Sequence, residues 1–346
     1  MTILPDAYSH TYVPTQRVAI DLTLSENPLG ASPKVTKALI EVAGRSHLYP
    51  YGEKALIALI AQHHHISENM ILLGAGANQL LEEFLRVFAL RKSIVVPAAT
   101  FPESVACMIP LQGSVHPVSL RDDLRLNLPA LLKACQVDTR FIHLCNPNNP
   151  TGIWTESSRL LQLAKYSPVP LLISEAGADF VRQTIISRFL PPNIIVVRSF
   201  SKAYGLAGLR IGYCVASPEI ISTMKCNLRS FRVSSPAIAA AKAALQDQEY
   251  LRKSIAYILR EKAWLMREMS TLDFKIIPSR GQNFIAQVPE KFGSADHFCE
   301  TASHYGVAVV NCSIYPGLNQ YIRLSPQKRQ TNKKFVLILK KIMETK

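Results

Sequence analysis

The sequence predicts an α/β protein, in which a large unit built on a mostly parallel, seven-stranded sheet between helices is joined to a smaller α+β unit. Three observations carry this. Short apolar runs alternate with helix-period segments from about residue 70 to 216. Those runs are almost wholly apolar, as strands covered on both faces must be. After Pro236 the pattern changes to one long helical stretch and then to short strand signals.

The strand signals of the large unit are "MILL" (70–73), "SIVVP" (93–97), "SVHPV" (114–118), "RFIHLC" (140–145), "PLLI" (170–173), "NIIVVR" (193–198) and "RIGYCV" (210–215). A helix is expected over 77–90, with Leu80, Leu81, Phe84, Leu85 and Phe88 on one side, and another over 155–166. A single helix is expected from Pro236 to about 271. "FKIIP", "NFIAQV", "VAVV" and "YIRLS" then read as strands of the smaller unit. With 346 residues the chain exceeds one ordinary core. The expected division is an N-terminal arm and part of the small domain (1–30), a large domain (31–235), and a linking helix with the small domain (236–346).

Composition narrows the function. Hydrophobic residues make up 48% and charged residues 18%, a globular balance. No apolar run approaches the roughly 20 residues that span a bilayer, so no membrane partner is expected. The start, "MTILPDAYSHTYVP", lacks the basic and apolar regions of a secretory signal. The seven cysteines are odd in number and form no CxxC pair. This predicts reduced thiols in a cytoplasm, with neither a disulfide frame nor a zinc site. The run His63-His64-His65 reads as a solvated helix end rather than a metal site. The formal charge of +14 is spread without aromatic interleaving, which favours phosphorylated small molecules over nucleic acid. The densest basic stretch, "SPQKRQTNKK" (325–334), reads as a solvated face.

Three motifs carry the chemistry. In "LLGAGANQLLEEF" a strand ends, a Gly-Ala-Gly turn follows and a helix begins, which makes an anion site. Gln79 stands where a dinucleotide fold has its third glycine, so a single phosphate is expected. In "LCNPNNPTGIW" (144–154) the Asn-Pro steps force an irregular loop at the strand ends, with Asn149 as the candidate ligand. In "VVRSFSKAYGLAGLRIGY" (196–213) a buried strand leads to Ser199, Ser201 and Lys202, and then to Arg210. A lysine there is partly desolvated, which frees its amine as a nucleophile. Two hydroxyls and an arginine beside it can bind phosphate. Lysine plus phosphate site is the constellation that pyridoxal phosphate requires.

In this order the motifs resemble the pyridoxal-phosphate-dependent fold-type I enzymes of aminotransferase class I/II. The resemblance runs from "LSENPLG" (24–30) to "YIRLS" (321–325). Within that family the chain looks like the branch holding histidinol-phosphate aminotransferase and L-threonine O-3-phosphate decarboxylase. "NPNNPTG" and "SKAYGLAGLR" are common to both, whereas "NCSIYPGLNQYIRLS" and "SLRDDLRLNLPALL" lean toward the decarboxylase.

The resemblance implies roles. Lys202 would hold the cofactor covalently and move a proton at the substrate's Cα. Ser199, Ser201 and Arg210 would hold the cofactor phosphate, with backbone groups of Gly76, Ala77 and Asn78. Phe101 would stack on the pyridine ring, and Asn149 would bond its hydroxyl oxygen. Tyr49, in "HLYPYG", would reach the phosphate of a neighbouring subunit, which implies a homodimer. Arg323 would take the substrate carboxylate, and the loop Asn27-Pro28-Leu29-Gly30 would close over the substrate. The implied function is a cofactor-dependent enzyme acting on a small phosphorylated amino acid or amine, most like the decarboxylase. The alternatives are an aminotransferase of the histidinol-phosphate type and a cofactor-binding protein with weak or no catalysis.

The last alternative comes from departures. In "PLLISEAGADF" (170–180) Ser174 stands where the family usually has the aspartate that pairs with the pyridine nitrogen. Glu175 is adjacent, but neighbouring strand residues face opposite ways. Gly177 replaces a usual Tyr or Phe. Val309-Val310-Asn311 stand where the decarboxylase branch tends to carry a second arginine, which leaves Arg323.

Overall fold

The computed structural model describes residues 18–344, so residues 1–17 of the expected arm and the last two residues lie outside the described residues. A short strand β1 (Ile20–Asp21) opens the described chain. Seven strands then form the main sheet: β2 (Ile71–Gly74), β3 (Ser93–Pro97), β4 (Ser114–Val118), β5 (Thr139–Cys145), β6 (Leu171–Ser174), β7 (Ile194–Ser199) and β8 (Gly212–Val215). Their order is β2-β8-β7-β6-β5-β3-β4. All neighbours are parallel except β8, which runs against both β2 and β7. These are the seven apolar runs read from the sequence, each shifted by two residues at most.

Alternation along the strands builds two core layers. Leu73, Val95, Ile142, Leu144, Ile173 and Val196 pack into one layer. Leu72, Val96, Phe141, Leu172, Ile195 and Val197 pack into the other, beneath Leu80, Leu81, Phe84 and Leu85 of the helix Ala77–Phe88. Only the edge strand β4 has no fully buried residue among the seven, and it carries Pro117, which an edge tolerates.

The C-terminal unit has its own antiparallel sheet of β9 (Lys275–Ile276), β10 (Phe284–Gln287), β12 (Val310–Asn311) and β13 (Tyr321–Leu324), in the order β12-β13-β10-β9. The strand β11 (Val307–Ala308) instead pairs in parallel with β1, so "VAVV" is split between two sheets at Val309. Phe284, Phe298, Ile322, Leu324 and Phe335 form the core of this unit.

Three expectations need correction. The long helix is two helices, Ser235–Gln246 and Gln248–Ser270, broken at Asp247. Asp247 caps the second helix by accepting from Tyr250 N, receives Ser32 Oγ at 2.6 Å, and lies 3.4 Å from Lys34 Nζ. Hydrophobic periodicity runs on through the break and hides it. The basic stretch 325–334 is not simply solvated. Arg329 makes a bidentate pair with buried Glu261 at 2.7 and 2.9 Å, and Asn332 is wholly buried. His63 and His65 are exposed as a helix end should be, but His64 bonds Tyr213 Oη at 2.8 Å. The seven cysteines are free, and no helix of the described residues is long and apolar enough to cross a membrane.

Candidate active site

Cys145 is in register with Ser174, and Ser174 with Val197. Cys145, Ser174 and, two residues beyond Val197, Ser199 therefore face the same way. They line a cavity of about 320 Å³ at the C-terminal ends of the parallel strands, where α/β sites lie.

Glu175 faces the other side, as strand alternation requires. Its carboxylate is wholly buried. It accepts from Arg198 Nη1 at 3.1 Å, from Ile185 N at 2.8 Å and from Thr184 Oγ1. Arg198 also donates to Asp179 at 2.6 Å. Burial raises the Glu175 carboxyl above its ordinary range, against the pull of Arg198. Burial, and then Arg198, push His64 down to about 2, so its ring stays neutral beside Tyr213. The only acid next to Ser174 in the chain is thus committed behind the sheet.

A cradle that could hold a phosphate forms where β2 and β7 end. Ala77 and Asn78, at the start of the helix Ala77–Phe88, line the cavity with Ser199, Ser201 and Arg210. Gly76 is not itself on the wall. It has φ +90, and a Cβ there would lie 2.7 Å from Arg210 Nη2. Only glycine lets the guanidinium lie against this turn. Ser199 Oγ accepts from Ser201 N at 3.0 Å, which fixes the bend after β7. Lys202 follows on the same wall. Burial pushes its amine down to about 8, with Arg323 and Arg210 adding to the shift and Glu26 opposing it.

The Asn-Pro loop uses its asparagines unequally. Asn146 holds Thr155 through both amide atoms, at 2.8 and 2.9 Å. Asn148 donates to Ala99 O at 3.0 Å and to Thr151 Oγ1 at 3.2 Å. Asn149 lines the cavity, as does Phe101. Gly177 also lines it, and a Cβ there would meet only Pro147, at 3.6 Å or more. The backbone does not demand glycine here, so its absent side chain leaves room.

The opposite wall comes from the C-terminal unit. Arg323, buried on β13, donates to Thr23 O at 3.1 Å and to Ser25 Oγ. Gln282 donates to Ser25 O, which ties the segment 23–26 across the cavity mouth. Asn27, Leu29 and Gly30 are not on this wall. Asn27 donates to Ala203 O at 3.0 Å and accepts from Leu29 N at 2.9 Å, while Leu29 O and Gly30 O accept from Tyr250 Oη. An Asx turn pins that loop to the segment behind Lys202, and residues 23–26 take the lining instead. Tyr49 also lies off the cavity, exposed and stacked on Phe231 with 4.8 Å between centroids.

Sequence reasoning missed Thr23, Ser25, Glu26, Cys145, Gln282 and Asn283 on the wall. "LSENPLG" and "NFIAQV" contain three of these, Ser25, Glu26 and Asn283, but their signals point to Asn27 and to a strand. A glycine cradle beside a helix start, two hydroxyls, a guanidinium and an amine of lowered pKa fit the donor set of pyridoxal phosphate.

Residues 17–339 match the family described as aminotransferase class I and II. The chain is 33% identical to histidinol-phosphate aminotransferase 1 of Nitrosococcus oceani, over 95% of this chain and 90% of that one. Its fold matches that of histidinol-phosphate aminotransferase from Sinorhizobium meliloti in complex with pyridoxal-5'-phosphate, with a TM-score of 0.88 and 25% identity over 99% of this chain and 95% of that chain. L-threonine-O-3-phosphate decarboxylase from Porphyromonas gingivalis matches with a TM-score of 0.81 and 23% identity over 94% of this chain and 100% of that chain, a likeness of fold alone. The lean toward the decarboxylase therefore gives way to the aminotransferase reading. The chain belongs to the aminotransferase class I and II family of pyridoxal-phosphate-dependent enzymes.

Proposed function

We propose that this chain is an aminotransferase of the histidinol-phosphate type, acting on a small phosphorylated amine. One observation supports this above the rest: Lys202 shares a cavity with two separate anion receptors. One is the cradle of Ala77, Asn78, Ser199, Ser201 and Arg210, and the other is Arg323. The first suits the cofactor phosphate and the second an anionic group of the substrate. The names of the relatives point to the same substrate class.

Bound pyridoxal phosphate supplies an electrophilic carbonyl and a sink for charge left at the substrate's Cα. The protein does the rest. Lys202, with its amine lowered to about 8, is partly neutral near physiological pH and can take and return the Cα proton. Arg323 orients the substrate by its anion. Asn149 and Phe101 position the ring. Ser174 offers a hydrogen bond and no charge. The committed carboxylate of Glu175 favours a second reading, in which the cofactor binds but turnover is weak. Exposed Tyr49 and Phe231 suit a homodimer contact from which Tyr49 reaches the partner's cofactor phosphate, and the free thiols suit a cytoplasm.

The test is to give cofactor-loaded protein L-histidinol phosphate without an acceptor. An aminotransferase leaves the cofactor in its amine form, seen by absorption. Carbon dioxide released from L-threonine O-3-phosphate would instead restore the decarboxylase reading. Neither result, with cofactor retained, would favour weak turnover.

A further inference from the structure

Lys262 lies in the helix Gln248–Ser270 with its ammonium inside the protein. Among the described residues its hydrogen-bond partners are two main-chain carbonyls, Ser279 O at 2.8 Å and Gly281 O at 2.5 Å. The neighbouring carboxylate, Glu261, is turned to Arg329 and Asn332. Burial pushes the Lys262 amine down to about 8. A buried cation held by dipoles alone is costly, and an apolar chain of the same length would avoid the cost. What the lysine offers in return is two directed hydrogen bonds to one turn.

That turn is fastened to the loop that carries Asn149. Gly152 O accepts the N–H groups of Arg280 and Gly281, each at 3.1 Å, and Ser279 Oγ at 3.2 Å. Asn283 Nδ2 donates to Pro150 O at 2.8 Å. The two segments approach so closely that a Cβ on Gly152, where φ is +70, would lie 2.6 Å from Asn283 O. Asn149, Gln282 and Asn283 all face the cavity. A helix, a turn and the Asn-Pro loop thus meet behind one wall of the site.

We infer that Lys262 is a positioning residue: it fixes the turn 279–281 and thereby holds Asn149, Gln282 and Asn283 in place on the cavity wall. Only the substrate probe used below rests on the proposed function.

Hydrogen exchange on cofactor-loaded protein tests this. In the wild type the amides of Arg280 and Gly281 should exchange as slowly as those of β5 and β7. Lys262→Met should speed these two amides by about tenfold or more while leaving the sheet protected and the unfolding midpoint unchanged or raised. KM for L-histidinol phosphate should rise about tenfold, with kcat within about threefold. The inference is overturned if the wild-type amides exchange like exposed peptides, or if Lys262→Met leaves them slow. It is also overturned if the variant loses protection throughout the sheet or does not fold, since Lys262 would then be general support. Absence of turnover with L-histidinol phosphate would count against the proposed function alone, because the exchange readout needs no substrate.

Discussion

Lys202 carries a charge where the fold least favours one, and its replacement should stabilise the cofactor-free protein. Burial, then Arg323 and Arg210, lower its pKa from 10.5 to about 8. At about 1.4 kcal/mol per unit, the charged amine costs the folded state about 3 kcal/mol, and its remaining contact with water brings this nearer 2 kcal/mol. The sign follows from proton counting. Below about pH 8 both folded and unfolded chains hold the proton, and the cost is complete. Between about 8 and 10.5 the unfolded chain keeps a proton that the folded chain has released, so stability rises with pH. Above that range the cost is gone. Lys202→Met keeps most of the stem packing and removes the charge. Urea unfolding of the cofactor-free proteins should show the variant more stable by about 2 kcal/mol near pH 7, with the gap closing by about pH 10.5. A variant less stable than wild type near pH 7, or a gap that does not change with pH, would refute the reasoning. The expected result ties function to stability, because the cost of the buried charge is the same effect that frees the amine to react.

Other substitutions separate the cradle, the strand tip and the far face of the sheet. Gly76→Ala places a Cβ 2.7 Å from Arg210 Nη2 at φ +90, and should weaken cofactor binding at least about tenfold while costing about 1–2 kcal/mol of stability. A fluorescence titration with unchanged affinity would remove Arg210 from the cradle. Glu175→Gln leaves Arg198 with Asp179 as its acidic partner among the described residues and should cost about 3 kcal/mol in urea unfolding; a loss under about 0.5 kcal/mol would mean that the buried set is not a structural unit. Ser174→Asp puts a carboxylate on the cavity floor and should raise kcat about tenfold if missing charge limits turnover. No gain, with the cofactor still bound, would point to another limiting step.

The main sheet was legible because each strand is an apolar run bounded by breakers, and buried parallel strands have to be. The lysine and phosphate motif was legible because its parts follow one another along a single strand and turn. What could not be read was set by contacts across the chain. Asp247 breaks a continuous helical pattern because Ser32 and Lys34 reach it from more than 200 residues away. Asn146, Asn148 and Asn149 are alike in residue type, and it takes the partners Thr155, Ala99 and Thr151 to show that the first two brace the loop itself, while Asn149 joins the cavity wall. "LSENPLG" reaches the cavity wall through Leu24, Ser25 and Glu26, which precede Asn27, whose amide turns back on its own loop.

The tip of β6 shows why an adjacent acid does not replace a missing one. Ser174 and Glu175 are neighbours in sequence, yet the sheet separates them. The hydroxyl lines the cavity, and the carboxylate enters a buried set with Arg198, Ile185 and Thr184. Rotating Glu175 forward would strand Arg198 behind the sheet with Asp179 as its only acidic partner among the described residues, at a cost of several kcal/mol. It would also break the strand bond from Glu175 N to Val197 O at 2.8 Å, which keeps Ser174 in register. Loss of charge at the strand tip is therefore fixed by the fold, and no rearrangement of side chains at this tip can supply it. Any charge that assists the electron sink must come from the bound molecules or from the cations around them. The wall already places Lys202, Arg210 and Arg323 there, against Glu26 as its only carboxylate among the described residues. Ser174→Asp therefore reads in turnover what a charge at the strand tip supplies, and Lys202→Met reads in stability what the buried amine costs the fold.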